Sequence, residues 1–306
     1  MTAGTLPRDQ PLQGILATLV AVALFVAMDA LIKWLSARYP TMQIVFFRSL
    51  VALIPIAVLA WRTEGLGAMA RVNSKSLHLL RCIFGLLSMV CFFHAFRVLP
   101  LADVIAIGFA APLFMTALSV PLLGEKVGIR RWSAVVVGFV GVLIMVRPGG
   151  DVVDAGAGIA ILGTVFYALT MVVMRRLSRT DATVAITFWF AIAGSIVGAA
   201  ALPFVWVPPD LAGWLLLAAV GLIGGVAQIF MTHAFRLAPV AVIAPFDYTA
   251  MLWGSAVGYA VWGEVPDAWM WAGAVVVAAS GLYIVYRETR LRLPRPNVGT
   301  RTVGRR

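Results

Sequence analysis

The sequence predicts an all-α polytopic membrane protein, with ten transmembrane helices built as two inverted five-helix repeats. Three observations predict it. The chain has 306 residues, of which 62% are hydrophobic and only 12% charged, where a soluble protein carries about a quarter charged. Its apolar residues gather into segments close to the ~20 residues that a helix needs to cross the hydrocarbon. The chain also repeats itself. HAFRVLP at His94–Pro100 returns as HAFRLAP at His233–Pro239, Gly124-Glu125 as Gly263-Glu264, and Trp132 as Trp271, all at one constant spacing and without a gap. A repeat of this length marks a duplicated unit.

In chain order the apolar segments span 13–36, 41–61, 77–97, 100–122, 131–147, 157–177, 183–206, 211–235, 240–262 and 268–286. The first run is too long for a signal-peptide core and leads into a charged loop. Segments three to five match eight to ten. Segments one and two match six and seven through Lys33 with Arg175, Thr41 with Thr183, Ile44 with Ile186 and Phe46 with Phe188. The domain plan is a short N-terminus (1–12), a first repeat (13–148), a second repeat (149–286) and a basic tail (287–306).

An odd number of spans per half makes the second half enter from the opposite face. The charges agree. With a cytoplasmic N-terminus, the inner loops hold Arg8, Arg62, Arg71, Lys75, Lys126, Arg130, Arg131, Arg175, Arg176, Arg179 and Arg236, and the tail adds seven arginines from Arg287 to Arg306. The outer loops hold Lys33, Arg38, Arg97 and Arg147. By the positive-inside rule both termini are cytoplasmic. The loop after Glu125 is basic and the one after Glu264 carries Asp267, as opposite faces would require. Trp61, Trp132, Trp206, Trp214, Trp262, Trp269 and Trp271 fall near segment ends, where the membrane interface holds such rings.

The net charge of +11 suggests nucleic acid only at first sight. The cations sit in short loops and a tail, not on one folded face. Cys82 and Cys91 share one apolar segment and read as small buried hydrophobes. No catalytic constellation, metal-ligand set or cofactor motif is predicted, and His78, His94 and His233 are scattered. The expected partners are a small-molecule substrate and the lipid bilayer. The Gly194–Gly198, Gly221–Gly225 and Gly254–Gly258 spacings permit close helix contact and leave homodimerisation open.

Particular stretches carry a resemblance: DALIKWL (Asp29–Leu35), FFR (Phe46–Arg48), LLR (Leu79–Arg81), the paired HAFR-x-x-P, AAPL (Ala110–Leu113), the two Gly-Glu corners and Gly138–Pro148. On these the chain resembles the drug/metabolite transporter superfamily, EamA type, over nearly its whole length. The resemblance implies an inner-membrane carrier for small organic metabolites. The Arg-bearing third helix, HAFR and GEK…RRW look most like bacterial carriers of S-adenosylmethionine or riboflavin type, and related carriers export amino acids. The alternatives are a channel or non-transport subunit, which leaves intramembrane charges unexplained, and a membrane-embedded enzyme, which lacks its motif.

Ionisable groups inside spans are costly and mark a pathway or a paired lock. Those present in both halves read as architecture: His94 and His233, Arg97 and Arg236 at helix ends, and Glu125 and Glu264 bonding the backbone of their own corners. Those present once point to function. Asp29 and Lys33 on helix 1, Arg48 on helix 2 and Asp103 on helix 4 are expected to form an outer gate, or a static lock at the same place. Their counterparts are Met171, Arg175, Phe190 and Val242. Asp247, two residues after the helix-breaking Pro245 and opposite Gly108 in the repeat, is expected to meet a cationic group or a proton. Arg81 is expected to meet a carboxylate, or to pair with Asp247. Tyr248, Trp253, Tyr167, Trp189, Gln43 and Gln228 complete the expected substrate pathway, and aromatic and amide groups there suit a zwitterionic or ring-bearing ligand.

Overall fold

Interrupted and uninterrupted helices account for the architecture of the computed structural model, which describes residues 11–123, 128–146, 153–177, 180–237, 243 and 246–290. The helices are α1 (Pro11–Ser36), α2 (Thr41–Thr63), α3 (Lys75–Val98), α4 (Leu101–Gly108), α5 (Ala111–Leu123) and α6 (Ile129–Val146) in the first half. The second half holds α7 (Val153–Leu177), α8 (Thr183–Val205), α9 (Leu211–Leu237), α10 (Thr249–Trp262) and α11 (Ala268–Arg290). Among the described residues, eight stretches are long and apolar enough to cross a membrane, α4 and α5 together making one of them. The shorter apolar stretch Trp132–Val146 in α6 and the 14-residue α10 complete the helical segments. The described chain is thus an all-helical, polytopic membrane protein.

The fourth apolar segment, predicted as one continuous helix, is broken. Pro112 has no N–H to offer the carbonyl of Gly108 and its ring crowds that carbonyl. The chain responds with tight three-residue turns, Phe109 N–H to Ala106 O at 3.1 Å and Ala110 N–H to Ile107 O at 3.1 Å. The second half is interrupted at the matching residue, Tyr248, just before α10 begins at Thr249. The two matching aromatic residues meet: the Phe109 and Tyr248 rings pack edge-on with centroids 4.8 Å apart.

The most extensive packing joins the two halves. α1 packs on α9, α3 on α7, α2 on α8 and α6 on α11, and α4 lies on α10. Exchanging the halves turns the α1–α9 pair into the α7–α3 pair and returns the other three to themselves. At the α6–α11 seam the backbones touch. A Cβ on Gly273 would stand 2.6 Å from the Gly141 carbonyl, and one on Gly141 would stand 3.0 Å from the Gly273 carbonyl, so only glycine fits at either place. Cys82 and Cys91 are free thiols, half-buried. Trp61, Trp214 and Trp269 stand exposed near helix ends.

Candidate functional site

Two arginines converge on one ring in the middle of the bundle. Arg81 lies about 9 Å along α3 from its start by the 1.5 Å helical rise. Its guanidinium stacks on Phe190 of α8 with 4.1 Å from carbon to ring centroid, and Arg48 of α2 approaches the same ring at 5.8 Å. Cation–π contact offsets part of the cost of holding these charges away from water. Gly85, one turn beyond Arg81, makes room: a Cβ there would overlap Arg81 Nη1 and Phe190 Cε2. Phe190 is the repeat counterpart of Arg48, so the two matched positions touch across the half-to-half interface.

The charges around this ring are incompletely satisfied. Arg81 is only 9% exposed, and its Nε and Nη1, like Nε of Arg48, are buried without a hydrogen-bond partner. Asp29 of α1 is the carboxylate that acts on Arg48, without a direct ion pair. Arg81 and Asp247 are both close enough to Tyr167 of α7 to act on it electrostatically. Tyr167 is 42% exposed. Asp247 Oδ1 is buried and unpartnered. Unmade hydrogen bonds of buried charged groups are expensive, and a ligand with a carboxylate at one end and a cation at the other would satisfy both sides.

The expected outer gate is rearranged. Arg48 joins Arg81 rather than Lys33. Lys33 sits one turn beyond Asp29, level with the corner after α10, and its ammonium contacts Glu264 at 2.5 Å and the Leu99 carbonyl at 2.7 Å. The other Glu264 oxygen accepts the Leu101 N–H at 3.0 Å. Glu264 therefore caps the start of α4 in the opposite half instead of bonding its own corner. The corner itself is made by Gly263, whose φ of 70° is open to glycine, with N–H bonds from Gly263 to Tyr259 O and from Glu264 to Gly258 O. Trp262 lies 5.2 Å beneath the Lys33 ammonium. Arg97 and Pro100 border the hollow of about 290 Å³ beside this tie. Asp103 is half-buried in the first turn of α4.

Several expected pathway residues have other duties. Gln43 is fully buried, but its amide is spent on Val207: Nε2 donates to the carbonyl at 2.8 Å and Oε1 accepts the N–H at 3.0 Å. It clamps the start of α2 to the end of α8. The Trp189 ring packs edge-on against Phe188, while its neighbour Phe190 meets the arginines. Trp253 is 49% exposed on α10. Tyr248 packs on Phe109 at the helix break. Gln228 is half-buried in α9. His94, Arg97 and His233 are exposed at helix ends. Glu125 lies outside the described residues, and Arg236 is placed only by its position at the end of α9.

One cluster was not foreseen. His78 of α3 meets Asp181 at 3.2 Å, both buried. Asp181 also accepts the Asn73 N–H at 2.8 Å and the Thr180 hydroxyl at 2.6 Å. Burial pushes the Asp181 carboxyl up, but the Thr180, Asn73 and His78 hydrogen bonds outweigh it and hold the group below its usual range. In the repeat, Asp181 stands where Tyr39 stands. Tyr39 also ties a corner, reaching Asp210 at 3.4 Å beside Arg38. Asp210 is held below the usual range chiefly by the Gly213 N–H, against a desolvation cost, with Arg38 and Tyr39 adding to it. The two corners thus carry equivalent ties at opposite ends of the bundle. Sequence comparison of the halves held the signal, since Phe190 and Asp181 occupy the counterparts of Arg48 and Tyr39.

A duplicated bundle of apolar helices with charged groups in its interior defines a polytopic membrane protein. The chain belongs to the EamA-like transporter family, whose model matches residues 12–147 and again 154–287. It is 33% identical over 272 residues to the pseudopaline exporter CntI of Pseudomonas aeruginosa, covering 87% of this chain and 94% of that one. It is 26% identical over 287 residues to the riboflavin transporter of Vibrio cholerae, covering 92% and 96%. To the S-adenosylmethionine uptake transporter of Rickettsia bellii it is 24% identical over 267 residues, covering 86% and 90%. A solved structure 16% identical in sequence shares the fold with a TM-score of 0.61, over 92% of this chain and 99% of that one.

Proposed function

We propose that the chain is a secondary carrier of the bacterial inner membrane, with both termini cytoplasmic and two inverted repeats. It moves a small organic metabolite bearing a carboxylate and a cationic group by alternating access. The observation that carries this reading is a set of buried charged groups with unpartnered atoms: the Arg81 and Arg48 guanidiniums around Phe190, and the Asp247 carboxylate. A ligand carboxylate docks on the arginines and its cationic end on Asp247. Amino-acid-like compounds, including S-adenosylmethionine, fit this pattern. A flavin would lean on rings instead, and the outward exposure of Trp253 weakens that reading.

Ties at both ends support alternating access. Lys33–Glu264, Tyr39–Asp210 and Gln43–Val207 hold one end, and Asp181 with His78 and Asn73 holds the other. All of them join the first half to the second. Opening one end requires breaking its ties while the other set stays closed, and inverted halves exchange these roles.

The test is counterflow in liposomes loaded with amino acids, S-adenosylmethionine or riboflavin, alongside thermal shift of the purified protein. Saturable counterflow of a zwitterion, abolished by Asp247→Asn in a variant of unchanged melting temperature, is expected. Normal transport by Asp247→Asn, or counterflow of riboflavin alone, would overturn the site.

A further inference from the structure

The α6–α11 pair carries a second candidate site, on its outward surface and away from the central charges. A groove of about 260 Å³ is lined by Ser133, Ala134, Val137, Ala279, Ser280 and Tyr283. Val137 is 52% and Tyr283 42% exposed. On a membrane-spanning bundle such a groove faces hydrocarbon, where lipid chains or another helix fill it.

The two helices run antiparallel, because Gly141 lies against Gly273 and Val277 while Ser133 shares the groove with Tyr283. The start of α6 therefore lies beside the end of α11. That end of the pair holds Arg130, exposed, and Arg131 on α6, and Arg287 and Arg290 on α11, against one acid, Glu288. The other end of α11 begins after Asp267. The groove thus starts one helical turn from the exposed Arg130, edged by the Ser133 hydroxyl and the Tyr283 ring, and continues over apolar surface. Small side chains at Ala134 and Ala279 give it its depth.

We propose that this groove binds an anionic phospholipid, with the phosphate at Arg130 and an acyl chain along Val137 and Ala279. Basic recesses between membrane helices suit such headgroups. A second copy of the chain fits less well. A two-fold pairing places the same residues opposite each other at one depth, and would set Arg130 near its twin.

The experiment compares phosphatidylglycerol with phosphatidylcholine of identical chains on the full-length protein in detergent. Retained lipid is read by native mass spectrometry, and stability by melting temperature. Phosphatidylglycerol is expected to remain bound and to raise the melting temperature in a saturable way, and phosphatidylcholine is not. Arg130→Gln should weaken phosphatidylglycerol retention about fivefold, the effect of one surface cation. Ala279→Leu, which fills the groove from an exposed position, should abolish the selectivity. Equal retention of both lipids, or unchanged selectivity in either variant, overturns the proposal. So does a dimer in the wild type that Ala279→Leu converts to monomer.

Discussion

Gly85 and Gln43 show how differently two buried positions act. Gly85 gives the Arg81 guanidinium its seat on Phe190. Gly85→Ala is expected to leave the melting temperature near wild type and to weaken substrate affinity about tenfold, roughly 1.4 kcal/mol, measured by counterflow. Gln43 does the reverse, because both ends of its amide are used on the Val207 backbone. Gln43→Leu should lower stability by about 1–3 kcal/mol in denaturant titration and leave affinity unchanged in the fraction that folds. An affinity loss in Gln43→Leu would return that residue to the pathway. Residue types were legible from the sequence here, but duties were not. An amide in an apolar helix reads the same whether it meets a ligand or a backbone, and a phenylalanine between two arginines reads as packing until the helices are crossed.

Each helix was legible from its apolar run, and the element boundaries agree within a few residues except in the fourth and ninth crossings. There Pro112 interrupts a run that hydropathy alone reads as continuous, and the matching break falls at Tyr248. The corner joining α10 to α11 was legible as Gly-Glu, yet its acid reaches the other half, which no local pattern encodes. Disrupting that tie tests its role. Lys33→Glu and Glu264→Lys should each slow transport, and the double exchange should recover part of it. Additive losses would make the contact incidental. At the other end, Asp181 joins the loop before α3 to the loop before α8. A carboxyl held below its usual range stabilises the fold above about pH 4 and loses that contribution as the pH falls through its lowered value. Asp181→Asn should therefore melt below wild type at pH 7, with the gap closing in acid. A gap that widens in acid would reverse the assigned sign.

Taken as a whole, the molecule is a set of helix pairs that each take one partner from either half. The duplication made that visible in outline, since matched residues had to meet somewhere, and Arg48 with Phe190 and Phe109 with Tyr248 are where they do. Orientation rests on the arginine bias of the loops and has its own test. With Cys82 and Cys91 replaced by serine, a cysteine at Ala37 should react with an impermeant maleimide on intact cells and one at Gly67 should not. The opposite pattern would invert the chain. The glycine seam of α6 and α11 sets a final consequence. Backbones in contact have no side-chain cushion to deform, so those two helices cannot slide past each other without a large rise in energy. They form a keel, and any relative movement within the bundle falls to the other helices, with their longer side chains and breakable ties.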